Sequence, residues 1–456
     1  MASTGAPDFR RLDEVIRAGM ERLRVPGAAV GVILGETEYR AGYGVNNVIH
    51  PLPVDPQTLF QIGSISKTVA GTAAMRLVEQ GKLDLDAPVR TYLSDFRLAD
   101  QSVAARVTMR HLFTHTGGWV GDFFEHTGTG SDALARIVAR MATLPQLTPL
   151  GEVFTYNNSG FYVAGRVIEV VTGQPYERAL RELVLRPLGM SMSFFRHFAT
   201  EFIIHRVVAG HELRGSELSI TRPWSRSRSA APSGGIVSNV DDVLRYARFH
   251  LGDGTAPDGT RLLSPESLAF MQSPLFPTDS MGNAVGLTWM LGEVGGVRVV
   301  RHGGSTFGQR AVLLLAPSHH FAIALLTNSE SGETLHQEIT RWALEEYLGA
   351  VDPELVPLER TPTELAPYAG RYRAPLSELV VNVRDDGLVL QAFPRSTDGE
   401  MTASTPPVRL GFIGPDRFVV LDPPRGSRRG EFLRGADGSI AWLRYDGRLH
   451  AKQTDR

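Results

Sequence analysis

The stretch Val351-Asp-Pro-Glu-Leu-Val-Pro-Leu-Glu-Arg-Thr-Pro362 separates two parts of the chain that follow different hydrophobic periods. Proline fixes its own φ and donates no backbone hydrogen bond, so three prolines in twelve residues make a stiffened connector rather than a helix or a central strand. Everything after it alternates with period two: YAGRYRAP, ELVVNVRDDGLVLQAF, VRLGFIG, DRFVVLDPP and SIAWLRYDGRLHAK. The pairs Asp386-Gly387, Asp437-Gly438 and Asp446-Gly447 are hairpin signals between such runs. The expected division is a first domain over 1–350, a linker over 351–363, and a small antiparallel β-barrel-like domain over 364–456.

The first part mixes both periods. An amphipathic helix around Leu12 to Leu23 leads through Pro26 into the strand-like runs GAAVGVILG and ETEYRAGYG. Further strands are expected near 285–291, 297–302, 310–316 and 321–328, followed by a closing helix in LHQEITRWALEEYLG. Residues 68–250 read as mostly helical. The expected architecture is α/β (α+β): an antiparallel sheet flanked by helices, with a helical subdomain and a site at the junction of the two.

That junction carries chemistry. In FQIGSISKTVAGTAAMRLVEQGKL, Ser64 and Lys67 stand one helical turn apart, where Cβ atoms lie about 5–6 Å from each other. Val69, Ala73, Met75, Leu77 and Val78, with Gly81 at the stop, place Lys67 in the first turn of a buried helix. Desolvation and the helix dipole both lower the pKa of a lysine there, favouring a proton acceptor beside a serine nucleophile. The same spacing also suits a helix cap with a solvated lysine.

Two other segments offer partners. In Phe154-Thr-Tyr156-Asn157-Asn158-Ser-Gly160, Tyr156 is a candidate proton shuttle and Asn158 a candidate amide that orients Lys67 and substrate. The alternative is a turn whose asparagines cap the helix in FYVAGRVIEVVTG. In Arg301-His302-Gly303-Gly304-Ser305-Thr306, glycines at a strand end permit close approach of a substrate to the backbone, and His302 adds hydrogen bonding or charge.

With these three segments in this order, the chain resembles the serine hydrolases related to class C β-lactamases. That group includes D-peptidases, family VIII carboxylesterases and penicillin-binding proteins. The resemblance covers roughly residues 10 to 350, including RVTMRHLFTHTGGW and APSGGIVSNVDDVLRYARFH. It implies that Ser64 is acylated with Lys67 as its partner, that Tyr156 and Asn158 form the second motif, and that His302-Gly303-Gly304 form the third. It also implies an oxyanion hole from the Ser64 and Ser305 amides, where such donors contribute about 3–4 kcal/mol. Efficient β-lactamases of the group carry Lys-Thr-Gly at the third motif, and a partly charged histidine suits neutral substrates better than a lysine does. The reading favoured is therefore a family VIII-type carboxylesterase acting on esters or small amides through an acyl-serine. The alternatives are a D-stereospecific peptidase, amidase or peptide cyclase with weak or no β-lactamase activity, and a non-catalytic penicillin-binding-type sensor. The C-terminal part resembles the lipocalin-like domains appended to some D-peptidases and peptide-cyclising relatives, as a wall for the site, an aid to assembly or a stability module.

Other signals are weighed down. His111 and His115 have the i, i+4 spacing of zinc ligands but lack the adjacent glutamate, and Gly117-Gly118 follow at once, so no metal and no cofactor are expected. By resemblance, Trp119 lines the substrate cleft. Arg222-Pro-Trp224-Ser-Arg226-Ser-Arg228 reads as a mobile cleft loop in which Trp224 helps select the acyl group. A formal net charge of −2 gives no reason to expect nucleic acid. MASTGAPDFRRLDE has no apolar core of a signal peptide and no later run is long enough to span a membrane, so a cytoplasmic enzyme is expected. The expected partner is a small ester, amide or short peptide, with homo-oligomerisation left open.

Overall fold

The computed structural model describes residues 8–195, 204–215, 217–353, 355–384, 387–395, 404–422 and 428–453. Its first part contains α1 (Arg10–Leu23), β1 (Gly27–Leu34), β2 (Thr37–Gly44), α2 (Ser66–Glu79), α3 (Asn158–Thr172) and α4 (Val240–Leu251). There follow β3 (Phe276–Pro277), β4 (Ala284–Val285), β5 (Met290–Val294), β6 (Val297–Thr306), β7 (Gln309–Ala316), β8 (Phe321–Thr327) and α5 (Gly332–Leu348). The strands form one antiparallel sheet in the order β2-β1-β8-β7-β6-β5-β4-β3. Because side chains alternate across a strand, the sheet has two apolar faces. Val30, Val32, Leu314 and Ile323 pack with Leu12 and Ile16 of α1 and Leu335 and Ile339 of α5. Ala29, Leu313, Leu315 and Leu326 face the helical region, including Val69 and Ala73 of α2 and Leu244 of α4.

The strand expected over 285–291 is broken. The backbone N–H of Leu287 donates to the carbonyl of Met271, 2.9 Å away, rather than to a neighbouring strand. Thr288 turns with φ +69°, leaving a two-residue β4 and a separate β5. Strand β6, in contrast, runs four residues beyond the expected end at 302. Its pairing with β5 stops at Arg301, opposite Met290, so residues 302–306 pair only with β7 and leave their other edge free. Gly304 is needed there because a Cβ would stand 2.0 Å from the carbonyl oxygen of Ile62.

The C-terminal strands β9 (Gly370–Ala374), β10 (Ser377–Arg384), β11 (Gly387–Pro394), β12 (Val408–Phe412), β13 (Arg417–Val420), β14 (Arg429–Arg434), β15 (Ile440–Tyr445) and β16 (Arg448–Lys452) close into an antiparallel barrel in chain order. Asp437-Gly438 and Asp446-Gly447 form the turns before and after β15; Asp386 lies outside the described residues. Tyr372, Leu379, Val381, Phe418, Phe432 and Leu443 fill the barrel, as expected of an eight-stranded closure. Among the described residues, no helix is long and apolar enough to cross a membrane.

Candidate active site

The free edge of β6 meets the turn that carries Ser64. The chain reaches Ser64 through the short strand Phe60–Gln61 and the single turn Gly63–Ile65, then enters α2. A Cβ on Gly63 would lie 2.7 Å from the amide nitrogen of Ser305, so the backbones beside Ser64 and Ser305 are in direct contact.

Lys67 is fully buried in the first turn of α2. Its Nζ lies 3.0 Å from Ser64 Oγ, 2.8 Å from Asn158 Oδ1 and 2.6 Å from the carbonyl oxygen of Ser233. Two of these three atoms are acceptors only. A neutral amine, with two N–H bonds and one lone pair, satisfies them all in one way: it donates to Asn158 and Ser233 and accepts the Ser64 proton. Burial holds the Lys67 pKa well below its ordinary value; the Arg448 and Arg226 guanidiniums push the same way and the Asp122 carboxylate opposes them.

Tyr156 completes the cluster. Burial raises its pKa, and a hydrogen bond with Ser64 pulls back. Lys67 Nζ is 4.9 Å from the Tyr156 ring centroid, and the His115 ring stacks on that of Tyr156 with centroids 4.4 Å apart. The two readings of the asparagines divide between them: Asn157 caps α3 by accepting from the Gly160 amide (2.8 Å), while Asn158, at its first position, is turned to Lys67.

His302 corrects an expectation about charge. It is buried, and burial together with the nearby Lys67 lowers its pKa to about 3, so the third motif is neutral at pH 7 instead of partly charged. With Nδ1 2.7 Å from the Gly303 carbonyl, Nδ1 carries the proton and Nε2 the lone pair. Gly303 and Ser305 are exposed on the same strand.

The barrel, whose role the sequence left open among a wall for the site, an aid to assembly and a stability module, reaches into this cluster. The β15–β16 turn brings the Gly447 carbonyl to accept from the Tyr156 amide (2.7 Å), and Arg444 donates to the Phe154 carbonyl (2.7 Å). Arg448 sits 5.1 Å from the centroid of the Tyr156 ring and donates from Nε to Asp122 Oδ2 at 2.8 Å. The resulting cavity of about 510 Å³ is lined by Ser64, Tyr156, Asn158 and His302 from the first part and by Leu376, Ser377 and Arg448 from the barrel. Ser233, which lies within the quoted run APSGGIVSN, acts through its carbonyl, a group with no residue-type signature. Asp122 lies three residues beyond the end of the quoted RVTMRHLFTHTGGW.

Two expected cleft residues are placed elsewhere. Trp119 is fully buried in the helical core, where its indole N–H donates to Ser159 Oγ (3.0 Å); its large apolar surface wins over exposure to the cleft. Trp119→Ala is expected to cost about 3–5 kcal/mol of stability in chemical denaturation, as for other fully buried large side chains. Trp224 donates to the Val208 carbonyl (2.9 Å) and does not line the cavity; Arg226 of the same loop does, over the Phe124 ring at 3.9 Å. The loop expected to be mobile is tied down by Arg228, paired with the buried Glu177 at 2.7 Å. His111 joins Thr108 in a capping box and His115 accepts from the Asn157 amide at 2.9 Å, so the two imidazoles serve separate backbone partners.

An antiparallel sheet with a Ser-x-x-Lys turn against the free edge of a strand defines the β-lactamase-like class of serine hydrolase folds. The chain belongs to the Beta-lactamase family, whose profile matches residues 12–347. It is 37% identical to penicillin-binding protein 4 of Amycolatopsis lactamdurans over 357 residues, covering 76% of this chain and 93% of that one. It is 24% identical over 329 residues to protein flp of Staphylococcus aureus (strain COL), covering 71% of this chain but only 63% of the relative's length. A crystal structure of SurE with D-Leu superposes with a TM-score of 0.71 at 27% identity, covering 97% of this chain and 99% of the other, the barrel included.

Proposed function

We propose that the protein forms an acyl-serine at Ser64 and transfers the acyl group of short peptide-like esters or amides to water or an amine. The observation that carries this reading is the Lys67 environment, in which a buried Nζ lies 3.0 Å from Ser64 Oγ with two acceptor oxygens placed to take its N–H bonds. Ser64 Oγ attacks the carbonyl carbon as its proton passes to Lys67 Nζ. The oxyanion forms against the Ser64 and Ser305 amides. The proton is delivered through the Tyr156 hydroxyl to the departing alcohol or amine as the scissile bond breaks, and a second nucleophile then releases the acyl group. Asn158, Gly303 and Gly304 border the bound acyl group.

A D-configured residue next to the scissile carbonyl is supported by the similarity to a protein crystallised with D-Leu and to a penicillin-binding protein. Carboxylesterase activity on neutral esters is the second reading, favoured by the uncharged His302. Intact-protein mass spectrometry of wild type and Ser64→Ala, with D- and L-leucyl p-nitroanilides, p-nitrophenyl butyrate and nitrocefin, separates them. The expected result is an adduct in wild type only, with the D-anilide turned over faster than the L-anilide. Equal D and L rates with faster butyrate turnover would establish the esterase, and no adduct with any substrate would leave a non-catalytic binding protein.

A further inference from the structure

Asp122 has no part in the acyl-transfer steps above, yet it touches both halves of the site. Its carboxylate lies within a continuous chain of hydrogen bonds: Lys67 Nζ to Asn158 Oδ1 at 2.8 Å, Asn158 Nδ2 to Asp122 Oδ1 at 2.7 Å, and Arg448 Nε to Asp122 Oδ2 at 2.8 Å. We propose that Asp122 is a positioning residue that makes acylation of Ser64 depend on the docked barrel, by holding Asn158 toward Lys67 with one oxygen and Arg448 with the other. The proposal rests on the acyl-serine reading.

An ionised carboxylate only accepts hydrogen bonds. Facing it, Asn158 must present its amide nitrogen, which leaves Oδ1 as the atom offered to Lys67. The reverse orientation would set an amide oxygen against a carboxylate and an N–H against the amine whose N–H bonds need acceptors. Asp122 stays ionised although burial pushes its pKa up, because Arg448, with Asn158 and Arg226, together more than offset that cost. Its side chain is 7% exposed, so water does not substitute for these partners.

The loop that carries Asp122 also has anchors within the first part of the chain. Ser159 donates its amide to the Gly121 carbonyl (2.9 Å), and Asn157 Nδ2 donates to the Trp119 carbonyl (3.1 Å), so the loop before Asp122 is fastened to the Tyr156 turn. Arg448 is supplied by β16, 326 residues away. Seating the β15–β16 hairpin gives the carboxylate a hydrogen-bonded counter-charge in addition to the more distant Arg226, and so strengthens its hold on the Asn158 orientation.

Two guanidiniums, Arg448 and Arg226, and one carboxylate, Asp122, therefore act on Lys67 from three elements; Tyr156, His115 and His302 face the same space uncharged at neutral pH. Removing the carboxylate disfavours the protonated amine, and removing a guanidinium favours it. The two substitutions move the Lys67 titration in opposite directions, which a mere adhesive role would not do.

The test is the rate of Ser64 labelling by a fluorophosphonate, followed from pH 5 to 10 by intact mass for the full chain, Asp122→Asn, Arg448→Gln and the double variant. Each single variant is expected to lose about 100-fold at its plateau, the cost of a misplaced catalytic group. The rise of rate with pH shifts to lower pH in Asp122→Asn and to higher pH in Arg448→Gln. The double variant loses no more than the worse single one, because the pair acts as a unit. Profiles superposable on wild type, or multiplicative losses in the double variant, would overturn the proposal. If Asp122→Asn does not fold, Arg448→Lys replaces it: retained pH position with reduced rate supports the relay, and a shift equal to that of Arg448→Gln overturns it. Wild type that is never labelled at Ser64 refutes the acyl-serine reading itself.

Discussion

Acylation of Ser64 is expected to fall by about 10⁴-fold or more when Lys67 becomes alanine, the scale seen when the base of a nucleophile–base unit is removed. No neighbour can take over. Burial raises the Tyr156 pKa, His115 is turned to the Asn157 amide, and burial lowers the His302 pKa to about 3, leaving it a weak base. Lys67→Arg should be equally inactive, because a guanidinium keeps the charge but does not give up its proton near neutral pH. That comparison separates a base from a cation. In wild type, lowering the pH through the depressed Lys67 value protonates the amine and reduces the rate, so activity is retained on the alkaline side and lost on the acid side. Stopped-flow acylation with an activated ester, with folding checked by circular dichroism, measures both effects. Activity in Lys67→Arg within tenfold of wild type would remove Lys67 from the role of base.

Gly447→Val should cost about 100-fold in kcat/KM while leaving the barrel folded, a loss of the size that misplacing a catalytic group by about 1 Å produces. Gly447 has φ +74°, a conformation that costs a β-branched residue about 1–3 kcal/mol. Its added Cβ would stand 2.4 Å from Met281 Sδ and 3.4 Å from Tyr156 Cβ, so Met281 must give way and the bulk of the valine is added beside Tyr156, where it is expected to loosen the turn's hydrogen bond to the Tyr156 amide. Gly438→Val is the matched control. It has φ +79° in the β14–β15 turn, and no atom lies within 4 Å of its added Cβ, so it carries similar backbone strain without contact with the site. Steady-state kinetics and melting curves on both variants should show similar losses of stability and loss of activity in Gly447→Val alone. Equal activities would mean that the barrel does not hold Tyr156.

The parts of this protein legible in the sequence are those written in short-range order. Ser64 and Lys67 are one helical turn apart, Tyr156 and Asn158 share one turn, and period-two runs with Asp-Gly turns announce the barrel, because each depends only on the geometry of neighbouring residues. The position of Trp119 was not legible, since adjacency to a cleft segment says nothing about which way a large side chain turns. Nor was the charge of His302: its pKa is decided by burial, and burial is a property of everything packed around the strand. Asp122, Ser233 and Arg448 were invisible for a related reason. An isolated carboxylate, a backbone carbonyl and an arginine at the far end of the chain have no spacing to betray them. Residue order alone determined the nucleophile, its neighbours and the two kinds of architecture. Tertiary structure decided that the barrel's turn lies against Tyr156 and that one of the site's two cations is Arg448, because contacts between segments some 300 residues apart arise only when two packed surfaces meet.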